Sequence, residues 1–144
     1  MSSSLIAVVG PTASGKSALA IQIAKSLGDS EIISADAMQL YRGMDIGTAK
    51  LSPEDQADIP HHLIDVVEPS EDVTAVHYRE LFDAAASGIL TRNRTPIIAG
   101  GSTLYLAAAL DEMQFAPTDP QVRARLETEA EEIGQLAIDR KSAV

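Results

Sequence analysis

Residues 10–17 combine the residue types of a phosphate-binding loop at the spacing that such a loop requires. They are Gly10, Pro11, Thr12, Ala13, Ser14, Gly15, Lys16 and Ser17, and they satisfy the pattern G-x-x-x-x-G-K-[ST]. The glycines let the backbone wrap around a diphosphate, whose oxygens face the loop N–H groups and the next helix N-terminus. Lys16 supplies a cation that spans two phosphate groups, and the Ser17 hydroxyl is a ligand for Mg²⁺. The motif predicts a diphosphate site with Mg²⁺ as its cofactor.

Two acidic residues could complete this site. Asp36 follows an apolar run at 32–35, which places it at the carboxyl end of a predicted strand, where ligands bind in doubly wound sheets. Asp65 follows Leu63 and Ile64 and resembles the acidic end of a second such strand, although a turn or cap role explains it equally well. We favour Asp36, because Gln39 lies three residues further along the chain and its carboxamide can form hydrogen bonds with the polar edge of a ligand.

Two adjacent histidines, His61 and His62, lie close to Asp65 and raise the question of a metal site. Neighbouring side chains on a strand point to opposite faces, so both rings rarely reach one ion. We therefore predict that they begin a strand instead.

Apolar runs of strand length alternate with helix-length segments along the chain. The pattern predicts strands at 5–9 (buried on both faces), 31–34, 62–67 and 96–99. It predicts helices at 17–27, at 75–91 with Thr74 as N-cap, from Ser102 as cap through 110, and at about 121–133. The expected apolar face of the 75–91 helix comprises Val76, Leu81, Phe82, Ala85, Ile89 and Leu90. Strands alternating with helices indicate an α/β fold with a parallel sheet.

Composition narrows the function classes. The 144 residues are 45% hydrophobic and 22% charged, which is typical of a globular protein. The net charge of −10 argues against a polybasic nucleic-acid sleeve or a membrane-surface helix. The chain has no cysteine, which excludes thiolate chemistry. No apolar run approaches the length of a membrane span, so we expect a cytoplasmic protein with no membrane partner.

Further segments follow the loop in a distinctive order. They are residues 34–39 (SADAMQ), 41–50 (YRGMDIGTAK), 61–65 (HHLID), 100–105 (GGSTLY) and 119–123 (DPQVR). Together with residues 10–17 they resemble the tRNA dimethylallyltransferases, also called tRNA isopentenyltransferases, over nearly the whole chain. The 41–50 block is the most specific, because a phosphate-binding loop does not by itself require it.

The resemblance implies a fold and a division of the chain. The fold is α/β, a P-loop NTPase-like parallel sheet flanked by helices, with the start of a helical insertion domain. Residues 1–115 would form part of the catalytic core and residues 116–144 the beginning of a tRNA-binding helical insertion. Family members are about twice this long, and we expect a monomer.

The resemblance also implies an activity. The family transfers a dimethylallyl group from dimethylallyl diphosphate to the exocyclic amine of the adenosine next to the anticodon of tRNA. Asp36 would remove the proton from that amine, and the Ser102 hydroxyl would bond the bridging oxygen of the leaving diphosphate. Residues 12–17 would contact the donor. The residues implied to meet tRNA are Asp36, Ala37, Met38, Gln39, Ser102 and Arg123. Ala37 stands where the family often has Ser, and Ser102 where it usually has Thr.

Three alternatives remain at this stage. A small-molecule P-loop kinase fits the size and the predicted sheet, but it needs an Arg-rich lid, and only Arg92 and Arg94 lie close together. A chain that binds a diphosphate without turnover is the second alternative. Adenylate prenyltransferases share the same motifs and are the third.

Overall fold

The computed structural model describes residues 4–111, 121–122, 124–125 and 127–128. Its centre is a four-stranded parallel sheet in the order β1-β4-β2-β3. The strands are β1 (Ile6–Val9), β2 (Ser30–Ala35), β3 (His61–His62) and β4 (Thr95–Gly100). The helices are α1 (Lys16–Leu27), α2 (Ala75–Thr91) and α3 (Thr103–Leu110). The predicted α/β fold with a parallel sheet is confirmed.

The core lies around β2 and β4. All six residues of β2 are buried, and Ile97 and Ile98 of β4 are fully buried. The cluster under α1 joins Ile32 and Ile97 to Ala20 and Ala24 of the helix. Because successive strand residues face opposite sides of a sheet, Ile98 is directed away from α1. Helices therefore cover the two central strands, as expected for a parallel sheet.

Capping residues set the helix ends where the sequence predicts them. The Thr74 hydroxyl accepts from the backbone N–H of His77 at 3.1 Å and begins α2. Ser102 caps α3 in the same way. Gly28 ends α1 with φ of 80°, and its N–H donates to the carbonyl of Ala24. These local signals depend only on neighbouring residues, which is why the bounds of α2 match the prediction.

Three sequence predictions need correction. The strand predicted at 62–67 stops after His62, because Leu63 and Asp65 adopt left-handed φ of 60° and 55°, which a β-ladder cannot accommodate. β1 is not buried on both faces, and Val9 is 57% exposed, since β1 lies at the edge of the described sheet. Val76 and Leu90 are exposed on α2, and the residues that the helix buries are Tyr78, Phe82 and Ile89.

The chain divides into two compact units, Met1–Met113 and Gln114–Val144. In the second unit the described residues, which lie between 121 and 128, are helical, and the rest of the helix predicted at 121–133 lies outside the described residues. The predicted division at 115 and 116 stays a prediction. Among the described residues, no helix is long and apolar enough to cross a membrane.

β2 and β4 approach each other unusually closely at their carboxyl ends. Ala35 is the register partner of Gly100. A Cβ added at Gly100 would lie 2.7 Å from the Ala35 Cβ and would overlap the Ala35 carbonyl. Glycine at this position is therefore required by backbone contact.

We predict that Gly100→Ala destabilises the intact protein, meaning the full product of the gene that encodes this chain, by about 1–3 kcal/mol or more. The added methyl must push the two central strands apart. Gly88→Ala is the matched control, because its Cβ would meet only the end of the Arg92 side chain, at 3.5 Å. This helical substitution should stabilise by about 0.5–1 kcal/mol. Urea unfolding of both variants measures the difference, and equal midpoints would contradict the steric account.

A buried carboxylate organises the opposite end of β2. Glu31 is 2% exposed and accepts from Arg92 Nη2 at 2.7 Å, from Arg94 Nη1 at 3.2 Å and from His62 Nε2 at 2.5 Å. The hydrogen bonds from Arg92 lower the pKa of Glu31 to about 2; burial opposes this shift, and His62 adds to it. Glu31 therefore stays ionised in the folded protein under acid conditions that protonate ordinary carboxyl groups.

This low pKa predicts an acid-dependent loss of stability. The unfolded chain takes up a proton at the ordinary pKa, near 4.5, whereas the folded protein does so only near pH 2. The Glu31 contribution is therefore complete above pH 4.5 and falls as the pH drops towards 2. We expect Glu31→Gln to be less stable than the wild type by about 1–3 kcal/mol at pH 6, with a smaller gap at pH 3.5.

Urea unfolding at the two pH values tests this prediction. Asp83→Asn is the control, because it breaks the exposed pair with Arg79, and such pairs contribute little. A gap between Glu31→Gln and the wild type that stays constant with pH would refute the assignment.

Candidate active site

A cavity of about 430 Å³ opens at the carboxyl end of the sheet. It brings together residues from the phosphate-binding loop, from the segment after β2 and from the segment after β4. Its lining is Thr12, Ala13, Gly15, Lys16, Ser17, Ala18, Asp36, Ala37, Gln39, Ala49, Ala99, Gly100, Gly101 and Ser102. The predicted catalytic pair, Asp36 and Ser102, therefore shares one cavity with the predicted diphosphate-binding residues Lys16 and Ser17.

The loop between β1 and α1 has the geometry of an anion-binding turn. Gly15 has φ of 83° and Ala13 has φ of 61°, both in the left-handed region. α1 begins at Lys16, and Gly15 has no side chain that could cap its first N–H groups. The Lys16 ammonium donates to the Pro11 carbonyl, and the Ser14 hydroxyl donates to the same oxygen at 2.8 Å. The loop thus presents backbone N–H groups and one ammonium, which suits a diphosphate.

Close packing at Gly101 fixes the wall opposite Lys16. A Cβ at Gly101 would lie 3.0 Å from the Gly10 carbonyl oxygen and 3.7 Å from Lys16 Nζ. The tight approach is therefore to the Gly10 carbonyl, which a side chain at position 101 would have to displace, whereas Lys16 would remain in ordinary van der Waals contact.

The Asp36 carboxylate is held in a defined orientation by its own turn. Its Oδ1 accepts from the backbone N–H of Met38 at 2.9 Å and from that of Gln39 at 3.2 Å. Such a turn uses one carboxylate oxygen and fixes the side chain beside the cavity. The arrangement can present a carboxylate as a proton acceptor.

Gln39 makes contacts that the sequence does not reveal. The Ser34 hydroxyl donates to its Oε1 at 3.0 Å, and its Nε2 donates to the carbonyls of Thr48 and Ala49 at 3.1 and 3.2 Å. The carboxamide therefore ties β2 to the end of the 41–50 loop. Its implied contact with adenine stays a prediction.

Ser102 caps α3 and also has a hydroxyl hydrogen that it can donate to a ligand. Its Oγ accepts from the backbone N–H of Tyr105 at 3.4 Å, and its own N–H donates to the Ala35 carbonyl at 3.2 Å. Because the cap uses an oxygen lone pair, the hydroxyl hydrogen can still be donated into the cavity. The bond to Ala35 holds Ser102 beside the end of β2.

Two tyrosines stabilise the helices behind this edge. The rings of Tyr78 and Tyr105 stack with centroids 4.2 Å apart, and the Tyr78 hydroxyl donates to the Ser34 carbonyl at 2.9 Å. Burial raises the pKa of Tyr78, so the hydroxyl remains a donor.

Some predicted residues lie outside the cavity lining. Gly10 and Pro11 border a neighbouring hollow of about 440 Å³. Ser14 and Met38 line neither cavity. Arg123 lies outside the described residues. The sequence analysis did not assign five residues that line the cavity, namely Ala18, Ala49, Ala99, Gly100 and Gly101. For Ala49, the only sequence signal was the resemblance of residues 41–50 to the family pattern.

Asp65 does not reach the cavity, so its interpretation as a second site carboxylate is wrong. Its Oδ1 accepts from Lys50 Nζ at 2.6 Å, and Lys50 also contacts Asp45 Oδ1 at 2.8 Å. Burial by itself lowers the pKa of Lys50, but the hydrogen bonds to the two carboxylates outweigh it and the pKa is raised. Asp65 thus neutralises a buried ammonium.

The described residues contain no group of three or more His, Cys, Asp or Glu side chains that could hold a metal ion. His62 bonds Glu31, and His61 Nδ1 contacts the Ile59 carbonyl at 2.7 Å; burial lowers the pKa of His61. The Ser17 hydroxyl and the Asp36 carboxylate both line the cavity. This hard oxygen set suits Mg²⁺ bound mainly through the oxygens of a diphosphate.

Comparison with known proteins identifies the family of this chain. The family model described as IPP transferase matches residues 39–142, more than half of the chain. The tRNA dimethylallyltransferase of Corynebacterium efficiens is 54% identical over 129 residues, which are 90% of this chain and 42% of that protein. That of Thermobifida fusca is 50% identical, with 98% of this chain and 46% of that protein covered.

Solved structures share the fold. The tRNA isopentenylpyrophosphate transferase of Bacillus halodurans superposes with a TM-score of 0.75 at 38% identity, covering 98% of this chain and 47% of that one. A eukaryotic dimethylallyltransferase acting on tRNA gives 0.70 at 30% identity, covering 83% and 31%. The chain therefore spans less than half the length of these relatives. Both the matched residues and the shared P-loop NTPase-like sheet show that this chain belongs to the IPP transferase family, the family of the tRNA dimethylallyltransferases.

Proposed function

We propose that the intact protein transfers a dimethylallyl group from dimethylallyl diphosphate to the exocyclic amine of an adenosine next to the anticodon of tRNA. This chain would supply the donor site and the general base. The observation that carries the proposal is the single cavity shared by the phosphate-binding loop, Asp36 and Ser102. The names of the relatives support the same reaction class. We further expect a cytoplasmic monomer.

The loop suits the donor's diphosphate. As the carbon–oxygen bond of the donor breaks, negative charge grows on the departing diphosphate. Lys16 and the loop N–H groups can offset that charge, because the loop lines the cavity. The Lys16 ammonium would exchange its hydrogen bond to the Pro11 carbonyl for one to the diphosphate. The Ser102 hydroxyl can donate to the bridging oxygen. Mg²⁺, held through the Ser17 hydroxyl and diphosphate oxygens, would add further charge neutralisation.

The carboxylate suits the acceptor. The exocyclic amine is a weak nucleophile, because its lone pair is delocalised into the adenine ring. It must lose a proton as the new nitrogen–carbon bond forms, and a carboxylate within reach lowers that barrier. Asp36 takes up the proton, and the diphosphate leaves with the electrons of the broken bond. The adenine must leave its stack to enter.

We predict that Asp36→Asn lowers the transfer rate by roughly 100- to 10,000-fold. Asparagine keeps an Oδ1 acceptor for the N–H groups of Met38 and Gln39, so the turn is retained while the proton acceptor is lost. The assay incubates the intact protein with Mg²⁺, dimethylallyl diphosphate and unmodified tRNA. Mass spectrometry should show the wild type adding one prenyl group to one adenosine.

Three results would count against this assignment. No transfer by the wild type would overturn the function, and transfer to AMP but not to tRNA would indicate an adenylate prenyltransferase. Equal loss of transfer and of pyrophosphate affinity in Asp36→Asn would remove Asp36 as the base.

We predict that Lys16→Met weakens the binding of Mg²⁺-pyrophosphate by roughly 10- to 100-fold, because it removes a charge-assisted contact. Lys25→Met is the matched control, since it removes an equal charge from an exposed position on α1. Isothermal titration calorimetry of both variants measures the affinity. Similar losses in the two variants would show that net charge, not the loop, governs binding.

A further inference from the structure

Lys50 is a buried ammonium surrounded by oxygen atoms. Its side chain is 6% exposed, and its Nζ donates to Asp65 Oδ1 at 2.6 Å, to Asp45 Oδ1 at 2.8 Å and to the Tyr41 carbonyl at 2.9 Å. We call Lys50, these two carboxylates and this carbonyl the Lys50 clamp. Three acceptors match the three donors of an ammonium group.

The clamp closes the 41–50 loop upon itself. Tyr41 lies at the start of the loop, Asp45 in its middle and Lys50 at its end, so one atom joins all three parts. Asp65 lies in the turn that follows β3. The same turn is bonded to the start of the loop, because the Asp65 N–H donates to the Gln39 carbonyl at 3.0 Å and the Val66 N–H to the Leu40 carbonyl at 2.8 Å.

The residue next to the clamp is part of the cavity. Ala49 lines the cavity and has a left-handed φ of 52°, a conformation that non-glycine residues keep only where their surroundings enforce it. Lys50 anchors one side of Ala49. On the other side, Gln39 Nε2 bonds the carbonyls of Thr48 and Ala49.

A continuous set of contacts joins the clamp to the general base. Lys50 holds the loop end, the loop end holds the Gln39 carboxamide, and the Gln39 N–H bonds Asp36 Oδ1 at 3.2 Å. The hydrogen bonds are 2.6–3.2 Å long, and the Ala49–Lys50 peptide bond and the Gln39 side chain connect them. A loop released at Lys50 would free the carboxamide and, through it, the turn that orients the carboxylate.

We propose that Lys50 is a positioning residue for the transfer reaction, which fixes the 41–50 loop and thereby the orientation of Asp36. This inference rests on the proposed function, because it assigns a role within the same site. Lys50 itself does not line the cavity. Its effect should therefore fall on the chemical step and leave the binding of the donor to the phosphate loop unchanged.

The experiment compares Lys50→Met, Lys50→Arg and Lys25→Met in the intact protein. Lys50→Met should lower kcat for transfer roughly 10- to 100-fold, as expected when a reacting group is misplaced by about an ångström. The dissociation constant for dimethylallyl diphosphate should stay within about twofold. Lys50→Arg keeps a donor for the carboxylates and should recover part of kcat, while Lys25→Met should match the wild type.

Hydrogen exchange supplies a readout that does not depend on turnover. Backbone amides of residues 41–50 should exchange faster in Lys50→Met, and those of α1 should not. If Lys50→Met fails to fold, the double variant Asp45→Asn with Asp65→Asn replaces it. It changes two side chains that are 66% and 46% exposed, and it should lower kcat by a similar factor.

Several outcomes would overturn the proposal. Unchanged kcat in the folded variant would do so, as would a kcat loss that parallels a loss of donor affinity and of melting temperature. The failure of the proposed function gives a different result, since the wild type would then transfer no prenyl group at all. If the wild type transfers no prenyl group, faster hydrogen exchange of residues 41–50 in Lys50→Met would show that the Lys50 clamp orders the loop, and the positioning role in transfer would be refuted.

Discussion

The contact between Ala35 and Gly100 is the constraint on which the site depends. These residues end the two central strands and are register partners, and only a residue without Cβ fits at Gly100. Asp36 follows the first strand end directly, and Ser102 lies two residues beyond the second. The Ser102 N–H bonds the carbonyl of Ala35, the residue that directly precedes Asp36. Asp36 and Ser102, the proposed proton acceptor and the proposed donor to the leaving group, thus line one cavity because two strands meet closely.

The sheet separates two groups of charged side chains, one at each end of its central strands. Arg92 and Arg94, which a kinase lid would have used, bond Glu31 near the amino end of β2, whereas the cavity lies at the carboxyl end. Lys16 lines that cavity. A net charge of −10 is therefore compatible with the proposed diphosphate site, because a phosphate responds to the nearest N–H groups and ammonium more than to distant screened carboxylates. The formal charge of the chain is a poor guide to this site.

Sequence reasoning succeeded where the deciding contacts are local. Helix α2 begins where the sequence predicts because the Thr74 cap bonds a residue three positions away. The loop at 10–17 and Asp36 were found because motif and strand end are read from consecutive residues. The strand prediction after His62 was wrong, since Leu63 and Asp65 are left-handed and the turn bonds residues distant in sequence, namely Gln39, Leu40 and Lys50. The exposure of Val9 could not be foreseen, because strand order is a property of the whole sheet.

The same distinction explains why the 41–50 loop stood out in the sequence while its role did not. Its ten residues match a family pattern, yet no pattern of spacing states that Lys50 bonds Asp65, fifteen positions away. Nor does the sequence show that the Gln39 Nε2 donates to the carbonyls of Thr48 and Ala49. A polar residue beside a candidate base is naturally taken for a substrate contact. Here the carboxamide also bonds Ser34, Thr48 and Ala49 within the protein, so the order of the site depends on a loop that contributes only Ala49 to the cavity lining.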